Sequence, residues 1–258
     1  MIKKTPRLTT IYGDAVVKEA LRLIKIPSRR IFLQRSLTLG GLSLLTGCAI
    51  VDEEGVESAL MKVSRFNDQV QGLLFNSEQL APTYPESMIT RPFPFNAYYG
   101  EDEIRQVDKN NYRLELSGLV ADKRSWTLDE LLRFPQTDQI TRHICVEGWS
   151  AIGKWGGVQF SKFLSRVGAD TTAKYVGFKC ADDYYTSIDM PTALHPQTLL
   201  ALSYDGQPLP PKYGFPMKLR MPTKLGYKNP KHIQAIFVTN TYPGGYWEDQ
   251  GYNWFGGS

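Results

Sequence analysis

The chain has 258 residues, of which 42% are hydrophobic and 22% charged, enough for one large domain or two small ones. Its formal net charge of +4 arises at the beginning of the chain, because residues 1–47 hold nine basic and two acidic residues. The remainder has 21 basic and 24 acidic residues, a net charge of −3. This balance offers no basic surface for a nucleic acid, so we expect no such partner.

The first 47 residues have the pattern of an export signal. Arg29 and Arg30 precede an apolar run at residues 37–45, which is too short to cross a bilayer as a helix of about 20 residues. The pattern resembles a twin-arginine signal, which the export machinery reads as an address. It predicts a periplasmic protein that crosses the membrane already folded. The alternative is a basic patch beside a membrane.

A second processing signal follows at residue 48. The order Leu45-Thr46-Gly47-Cys48 resembles a lipobox, in which the cysteine is lipidated. This resemblance predicts a lipid anchor at Cys48. In the alternative, Cys48 is an incidental part of the leader and the exported protein is free of the membrane.

Residues 48–92 are predicted to be an acidic tether that leads into a peripheral helix and then an extended coil. Four prolines within residues 81–94 indicate the coil, which should wrap the surface. The main domain is expected over residues 93–258. The acidic residues of the tether are Asp52, Glu53, Glu54 and Glu57.

Alternating apolar residues predict several strands of the main domain. A turn at Asp205 and Gly206 precedes a further predicted strand. The tail, residues 242–258, is rich in aromatic residues and is expected to fold over the core. The strands predicted from alternation cover residues 112–116, 140–145, 174–180 and 232–239.

Three short helices are predicted between these strands. Thr127 and Glu130 form a capping box for a helix that runs to Phe134. Apolar residues at helical spacing predict a second helix over residues 158–167. A third is predicted over residues 191–202 and contains His195, which we interpret as a structural histidine.

The chain is organised around the end of the strand predicted at residues 140–145. A strand end supports a side chain rigidly, and a thiolate is a suitable ligand for a redox-active metal. The alternative for a lone cysteine is a small buried hydrophobic residue. The order at this position is Cys145-Val146-Glu147-Gly148-Trp149-Ser150.

This order resembles the cysteine loop of the sulfite-oxidase-fold molybdenum enzymes, in the branch with the catalytic subunit of periplasmic methionine sulfoxide reductase. The Ala-Gly-Asn-Arg sequence of classical sulfite oxidases does not follow Cys145. The resemblance extends, with gaps, over residues 93–237. It implies an α+β fold of mixed sheets and peripheral helices, a molybdenum–molybdopterin cofactor, and Cys145 as catalytic residue and metal ligand.

The resemblance also implies contacts between the pterin and residues before and after the cysteine loop. Asn96, Tyr99 and Gly100 lie in a segment that contacts the pterin in the family. In the alternative, these aromatic residues close the core and Asn96 occupies a turn. Cys180 falls near the metal position of the relatives, although a buried structural cysteine is the favoured interpretation.

Two later segments, residues 213–220 and 224–228, resemble those that bind the pterin phosphate in the family. Cationic side chains beside a glycine-containing turn suit a phosphate. Tyr213 replaces the usual His or Asn and Lys218 the usual Arg, so we expect Lys228 to be the more secure ligand. The alternative is a solvated basic face. The implied residues are Tyr213, Lys218, Gly226, Tyr227 and Lys228.

The resemblance implies a monomeric, periplasm-facing oxidoreductase that exchanges electrons with a separate carrier, either a membrane heme protein or a cytochrome. We expect neither a heme-binding domain before the fold nor an immunoglobulin-like domain after it. Arg142 is the one arginine in the cysteine loop region. A small neutral S-oxide or N-oxide is therefore expected as substrate rather than sulfite. The alternatives are a sulfite oxidase and a non-catalytic, lipid-anchored binding protein that retains the fold.

Overall fold

The computed structural model describes residues 53–258, with side chains from Lys62 onward. The predicted twin-arginine signal and the lipobox at Cys48 lie outside these residues. Residues 57–258 form one compact unit. In the described part of the chain, no helix is both long and apolar enough to span a membrane.

Four α-helices and nine strands lie within residues 53–258. The helices are α1 (Glu53–Leu74), α2 (Leu128–Leu132), α3 (Phe160–Arg166) and α4 (Met190–Leu194). The strands are β1 (Glu115–Gly118), β2 (Gln136–Ile144), β3 (Ser150–Gln159), β4 (Tyr175–Cys180), β5 (Tyr185–Asp189), β6 (Leu199–Tyr204), β7 (Gln207–Pro208), β8 (Lys218–Arg220) and β9 (Ile233–Thr239).

The strands form two sheets. The first has the order β1-β9-β4-β5, in which β1 and β9 are parallel and the other neighbours are antiparallel. The second has the antiparallel order β2-β3-β6-β7, and β8 also pairs with β6. Mixed sheets with short helices confirm the predicted α+β class.

The core contains a large apolar cluster and a smaller aromatic one. In the large cluster Leu114, Phe160 and Val176 are completely buried. Such burial stabilises the fold by about 1.5–3 kcal/mol for each large side chain. The smaller cluster is built on Phe93 and Trp155, whose rings meet edge to face with centroids 5.3 Å apart. It packs beside β3, close to the end of β2.

Several predicted elements are confirmed. Both hydrogen bonds of the capping box between Thr127 and Glu130 are present at the start of α2. The strands predicted at residues 140–145, 174–180 and 232–239 correspond to β2, β4 and β9. The strand predicted over residues 112–116 is displaced, because β1 begins at Glu115.

The helix predicted over residues 158–167 is confirmed with a slightly later start, but the strand that precedes it was not predicted. Residues 150–159 form β3, and α3 begins only at Phe160. Three glycines in this strand weaken the sequence signal, because glycine is depleted in strands. At Gly157 the glycine is required, since a Cβ atom there would lie 2.0 Å from the carbonyl oxygen of Leu200 in β6.

The helix predicted over residues 191–202 is also too long. It ends at Leu194, and residues 199–204 form β6. Leu199, Leu200 and Ala201 are all completely buried, so the strand is apolar on both faces and lacks the alternation that identifies a half-buried strand. His195 caps α4 and is buried, with its Nε2 atom 3.1 Å from the carbonyl oxygen of Gln79.

The predicted tether is already helical at Glu53, where α1 begins. Near its end, this helix contacts the C-terminal tail, which folds over the core as predicted. The backbone N–H of Phe255 donates to the Asp68 carboxylate at 2.8 Å, and the rings of Phe75 and Phe255 pack edge to face.

Candidate active site

The end of β2 places Cys145 at the floor of a cavity. Strand alternation directs His143 into the protein and Arg142 out of it, so Arg142 lies 5.3 Å from the ring of Tyr84 on another face. After Ile144, the N–H of Cys145 donates to the carbonyl oxygen of Trp149 at 2.9 Å. This bond closes the hairpin between β2 and β3 and fixes the cysteine.

The thiol of Cys145 has two polar neighbours. The Asn96 side-chain amide donates to its sulfur at 3.2 Å, and the thiol donates to the Glu147 carboxylate at 3.6 Å. The indole N–H of Trp149 donates to the same carboxylate at 2.9 Å. Burial raises the pKa of Cys145, and the Glu147 charge raises it further. The free thiol is therefore protonated at neutral pH, and a bound cation would favour the thiolate.

The cavity above this thiol has a volume of about 200 Å³ and largely aromatic walls. Tyr99 lies in the wall, and its hydroxyl donates to the Asp182 carboxylate at 3.0 Å. Glu147, Asp182 and Lys231 are the charged groups of the lining. The other aromatic rings of the wall belong to Phe95, Tyr98, Tyr184, Tyr227, Trp247 and Tyr252.

Two buried cations lie beside this cavity, and a half-buried one lies in its lining. Lys218 is 4% exposed and Arg220 is completely buried, both on β8, while Lys231 follows the turn after that strand. The Arg220 guanidinium donates to the carbonyl oxygen of Arg142 at 2.6 Å. In the described residues, none of the three cations forms an ion pair with a carboxylate.

Burial without a carboxylate lowers the pKa of each of these cations. The pKa of Lys218 is well below its ordinary value because of burial, and the charges of Lys231 and Arg220 lower it further. Burial lowers the pKa of Lys231 to about 8, although Asp182 acts in the opposite direction. Burial lowers the pKa of Arg220 to about 9, so it stays charged at neutral pH. The site is therefore a positive, desolvated region that an anion would stabilise.

His143 lies between the cations and the cysteine. It is 1% exposed, and neither ring nitrogen has a hydrogen-bond partner among the residues that the structure describes. Burial lowers its pKa well below the ordinary value, and the charges of Lys218 and Arg220 lower it further. The backbone of Gly226 lies against His143 and Asn96. A Cβ atom at this position would lie 2.9 Å from the Nε2 atom of His143 and 3.2 Å from the Asn96 amide nitrogen.

The structure brings five of the sequence-predicted residues to one cavity. Asn96, Tyr99, Cys145, Gly226 and Tyr227 all line it. They come from three separate segments of the chain. Lys218 belongs to the adjoining group of buried cations.

Lys228, predicted to be the most secure phosphate ligand, lies elsewhere. Its ammonium group is paired with the Glu248 carboxylate, and both side chains are 1% exposed. It also donates to the carbonyl oxygen of Ser187 at 2.6 Å. Its charge is therefore already compensated inside the protein by Glu248.

Tyr213 is also outside the cavity. Its hydroxyl donates to the carbonyl oxygen of Phe93 at 2.9 Å, and its ring packs on Tyr204 in the smaller aromatic cluster. The position that resembles a phosphate ligand in the family is thus filled by a core side chain. The adjacent Gly214 has a φ of +116° and lies against Lys218 and Lys231.

Gly100 and Cys180 do not reach the cavity lining either. Gly100 is exposed and precedes the short turn at residues 101–103. Cys180, at the end of β4, belongs to the large apolar cluster. Burial raises its pKa well above the ordinary value. This agrees with the structural interpretation that the sequence favoured.

Sequence reasoning missed four residues of the site. They are His143, Asp182, Arg220 and Lys231. His143 had a signal, because it precedes Cys145 by two residues on the same face of β2. Lys231 had none, since it resembles any surface lysine after a turn.

Comparison with known proteins gives consistent results. The family described as "Oxidoreductase molybdopterin binding domain" matches residues 101–247. The chain is 73% identical, over the whole length of both proteins, to a protein of Azospira oryzae named "Putative protein-methionine-sulfoxide reductase subunit YedZ1". It is 36% identical to the "Protein-methionine-sulfoxide reductase catalytic subunit MsrP" of Xanthomonas campestris, over 54% of this chain and 48% of that relative.

A solved structure has a related fold. The sulfane dehydrogenase SoxCD from Paracoccus pantotrophus superposes with a TM-score of 0.50 at 22% identity, over 54% of this chain and 40% of that one. Together with the family match, this likeness confirms the predicted sulfite-oxidase-type architecture.

Proposed function

The chain belongs to the family of oxidoreductase molybdopterin-binding domains, and on this premise we propose that it reduces an S-oxide at a molybdenum ion held by Cys145. It is a molybdopterin-dependent oxidoreductase. The observation that carries the proposal is the position of Cys145 in an aromatic cavity, beside three cations that form no ion pair with a carboxylate of the described residues.

The residues present fit the cofactor. A pterin phosphate is a multiply charged anion, and Lys218, Arg220 and Lys231 supply cationic groups that no carboxylate of the described residues neutralises. The unpartnered nitrogens of His143 offer a donor or an acceptor. Gly226, which has no side chain, allows His143 and the Asn96 amide to approach the backbone of this turn beside the cavity. These residues would hold the organic part of the group.

Cys145 would bind the metal itself. A thiolate is a soft ligand that suits a redox-active ion, and Asn96 donates to the sulfur from one side. The Asn96 amide would hold the Cys145 sulfur in position, because hydrogen bonds from neighbouring polar groups orient metal ligands. When bound, the cofactor would supply two-electron oxygen-atom transfer. Reduction of a sulfoxide to the thioether breaks the sulfur–oxygen bond, consumes two electrons and two protons, and releases the oxygen as water.

The cavity favours an uncharged substrate. Glu147 and Asp182 are acidic groups of the lining, and Glu147 lies 3.6 Å from the Cys145 sulfur. Lys231 in the same lining is a cation, but the Glu147 carboxylate beside the sulfur would repel sulfite there, whereas a sulfoxide carries no net charge. Aromatic rings attract sulfur groups by about 0.3–1.5 kcal/mol each. Tyr99 and Tyr227 in the wall therefore suit the methionine sulfoxide that the names of the relatives indicate.

Electrons would come from a separate carrier, since the named relatives are subunits of a reductase. We propose a membrane heme protein or a cytochrome as that carrier. The twin-arginine pattern at Arg29 and Arg30 supports export to the periplasm, and the order before Cys48 supports a lipid anchor. Both features belong to this proposal.

Replacement of Cys145 by Ser tests the metal assignment. A serine hydroxyl is a far poorer ligand than a thiolate at neutral pH. Loss of a residue that supports a metal ligand typically costs about 10–100-fold in activity. The rate of methionine sulfoxide reduction by a reduced dye should therefore fall by more than that in Cys145→Ser. Molybdenum content, measured by mass spectrometry on protein matured in the cytoplasm, should fall with it.

Cys180→Ser is the matched control. Its sulfur lies in the apolar core, so the variant should retain molybdenum and activity and lose at most about 1–3 kcal/mol of stability. Wild-type activity in Cys145→Ser would remove Cys145 from the metal. Oxidation of sulfite without reduction of any sulfoxide would reject the proposed substrate.

A further inference from the structure

Helix α1 has its polar face directed toward the protein. Asp68 accepts a hydrogen bond from the N–H of Phe255 at 2.8 Å, and Gln71 accepts one from the N–H of Gly257 at 3.3 Å. Both partners are backbone groups of the C-terminal tail. The helix is thus attached through polar side chains, the reverse of an ordinary amphipathic surface helix.

The opposite face of α1 is apolar and exposed. Val63, Phe66, Val70 and Leu73 are separated by three, four and three residues, which places them on one stripe. Their exposed fractions are 57%, 64%, 36% and 86%, and that of the neighbouring Leu74 is 76%. A contiguous apolar patch of this kind marks an interaction site on a soluble surface.

We propose that this apolar stripe rests on an anionic lipid bilayer, with the second half of α1 on the membrane surface and its acidic first turns away from it. An interfacial helix of this type buries Phe and Leu side chains among the lipid headgroups and carries Lys or Arg beside them. The proposal does not depend on the proposed S-oxide activity or on a lipid at Cys48.

The charges beside the apolar stripe of α1 favour an anionic bilayer as its binding partner. Between Lys62 and Leu74 the exposed polar side chains beside the stripe are Lys62, Arg65, Asn67 and Gln69. Two of them are cations and none is an anion, because Asp68 is turned toward the tail. Each basic residue near an anionic membrane contributes about 1 kcal/mol of attraction.

The acidic beginning of α1 is compatible with this arrangement. Glu53, Glu54 and Glu57 lie in its first turns. At 1.5 Å per residue, Glu57 is about 13 Å from Phe66 along the axis, more than the Debye length of about 8 Å at physiological salt. The second half of the helix is therefore the part expected to contact lipid.

A second copy of the chain is a less suitable occupant. A stable dimer buries about 800 Å² on each partner. Five side chains spread over three helical turns offer less apolar area than that. Insertion among headgroups has no such minimum, since each buried methylene group contributes about 0.8 kcal/mol by itself.

A nitroxide label at residue 73 tests the proposal in the full-length chain. Leu73→Cys is made in a Cys48→Ala background, where Cys145 and Cys180 are buried and should not be labelled. With vesicles of phosphatidylcholine and phosphatidylglycerol, we expect the label to lose accessibility to a water-soluble nickel chelate by about tenfold. A label in Leu132→Cys, at an exposed position of α2, is the control and should remain in water.

The leader residues 1–47 are present in every variant, so their own binding to vesicles is the same in all of them. A difference in chelate accessibility between the two labels therefore reports on the position of the label. A label at residue 73 that stays fully accessible to the chelate while the chain is vesicle-bound would overturn the proposal. Spin–spin broadening at residue 73 in the absence of lipid would assign the stripe to a second copy instead.

The charge argument has its own test. Lys62→Glu with Arg65→Glu should reduce protection of the label at residue 73 by at least about fivefold on anionic vesicles. On pure phosphatidylcholine the same pair of changes should have little effect. Equal protection of the label on anionic vesicles with and without the two substitutions would reject an anionic surface as the partner.

Discussion

Two sets of buried cations in the segment from residue 218 to residue 231 differ in how their charge is compensated. Lys228 is paired with Glu248, and Lys224 donates to the carbonyl oxygen of Phe255 at 2.9 Å, with Asp189 at 3.8 Å. Lys218 and Lys231 are also largely removed from solvent, but neither has a carboxylate partner in the described residues.

This difference separates structural charges from charges available for a ligand. A buried charge is costly unless it is paired. Lys228 has its partner within the protein, so it can contribute nothing more to an external anion. Lys218 and Lys231 lie over aromatic rings but form no ion pair with a carboxylate of the described residues, so a phosphate would compensate their desolvation further. Burial alone does not distinguish the two sets, whereas the presence of an acidic partner does.

The largest expected effect comes from breaking the Lys228–Glu248 pair. Glu248→Ala leaves the Lys228 ammonium buried without an anion, which typically costs about 3–5 kcal/mol. It also removes the acceptor of the Thr186 hydroxyl, now at 2.8 Å. Denaturant-induced unfolding of the cofactor-free protein measures the change in the free energy of unfolding.

Asp249→Ala is the matched control for this change. The neighbouring Asp249 is exposed, and its removal should cost less than about 1 kcal/mol. If Glu248→Ala were no more destabilising than Asp249→Ala, the pair would not be structural. The distinction between the two sets of cations would then be wrong.

A substitution in the second set should act in the opposite direction. Lys218→Met removes an unpaired buried charge and keeps an apolar chain of similar length, so the cofactor-free protein should be as stable as the wild type or more stable by up to about 4 kcal/mol. Molybdenum content after cytoplasmic maturation should fall at the same time, because a phosphate ligand is lost.

Lys228→Met provides the comparison for Lys218→Met. It should lose stability, since Glu248 is then left unpaired in the core. A Lys218→Met variant that unfolds more easily yet retains its full molybdenum content would assign Lys218 to the structural set.

Several residues that the sequence singled out lie in one cavity with the cysteine, for a physical reason. Cys145 and Gly226 lie where the backbone itself forms the site, at a strand end and in a tight turn, and such positions leave a local pattern. Asn96 and Tyr99 belong to a segment whose composition is also distinctive. The α+β class followed from the same resemblance.

The assignment of the cations could not be made from local sequence. Lys228 and Lys231 are three residues apart, and only the partner at Glu248, twenty residues later, distinguishes them. The sequence missed strand β3 for a similar reason, because Gly157 is required by the close approach of the β6 backbone, which local sequence does not show. Contacts between residues distant in sequence decided both cases.

The smallest expected effect is a pH dependence that Lys231 gives to anion binding. Burial lowers the pKa of this lysine to about 8 in the cofactor-free protein, and a bound phosphate would raise it again. Below pH 8 the ammonium is already charged, so Lys231 should change the affinity for inorganic phosphate little between about pH 7 and 8. Above pH 8 a proton must be taken up on binding, and the affinity should fall by nearly tenfold, or about 1.4 kcal/mol, per pH unit.

Titration calorimetry of cofactor-free protein with inorganic phosphate measures this dependence. Above pH 8 phosphate is almost entirely a dianion, so its own titration does not contribute to the decline. Lys231→Met should bind phosphate more weakly at pH 7 and should lose the decline above pH 8 that Lys231 causes. Any decline that persists in Lys231→Met belongs to Lys218 or Arg220, whose pKa values are also lowered by burial. An identical decline in the wild type and in Lys231→Met would place Lys231 outside the phosphate site and leave Lys218 and Arg220 as its cations.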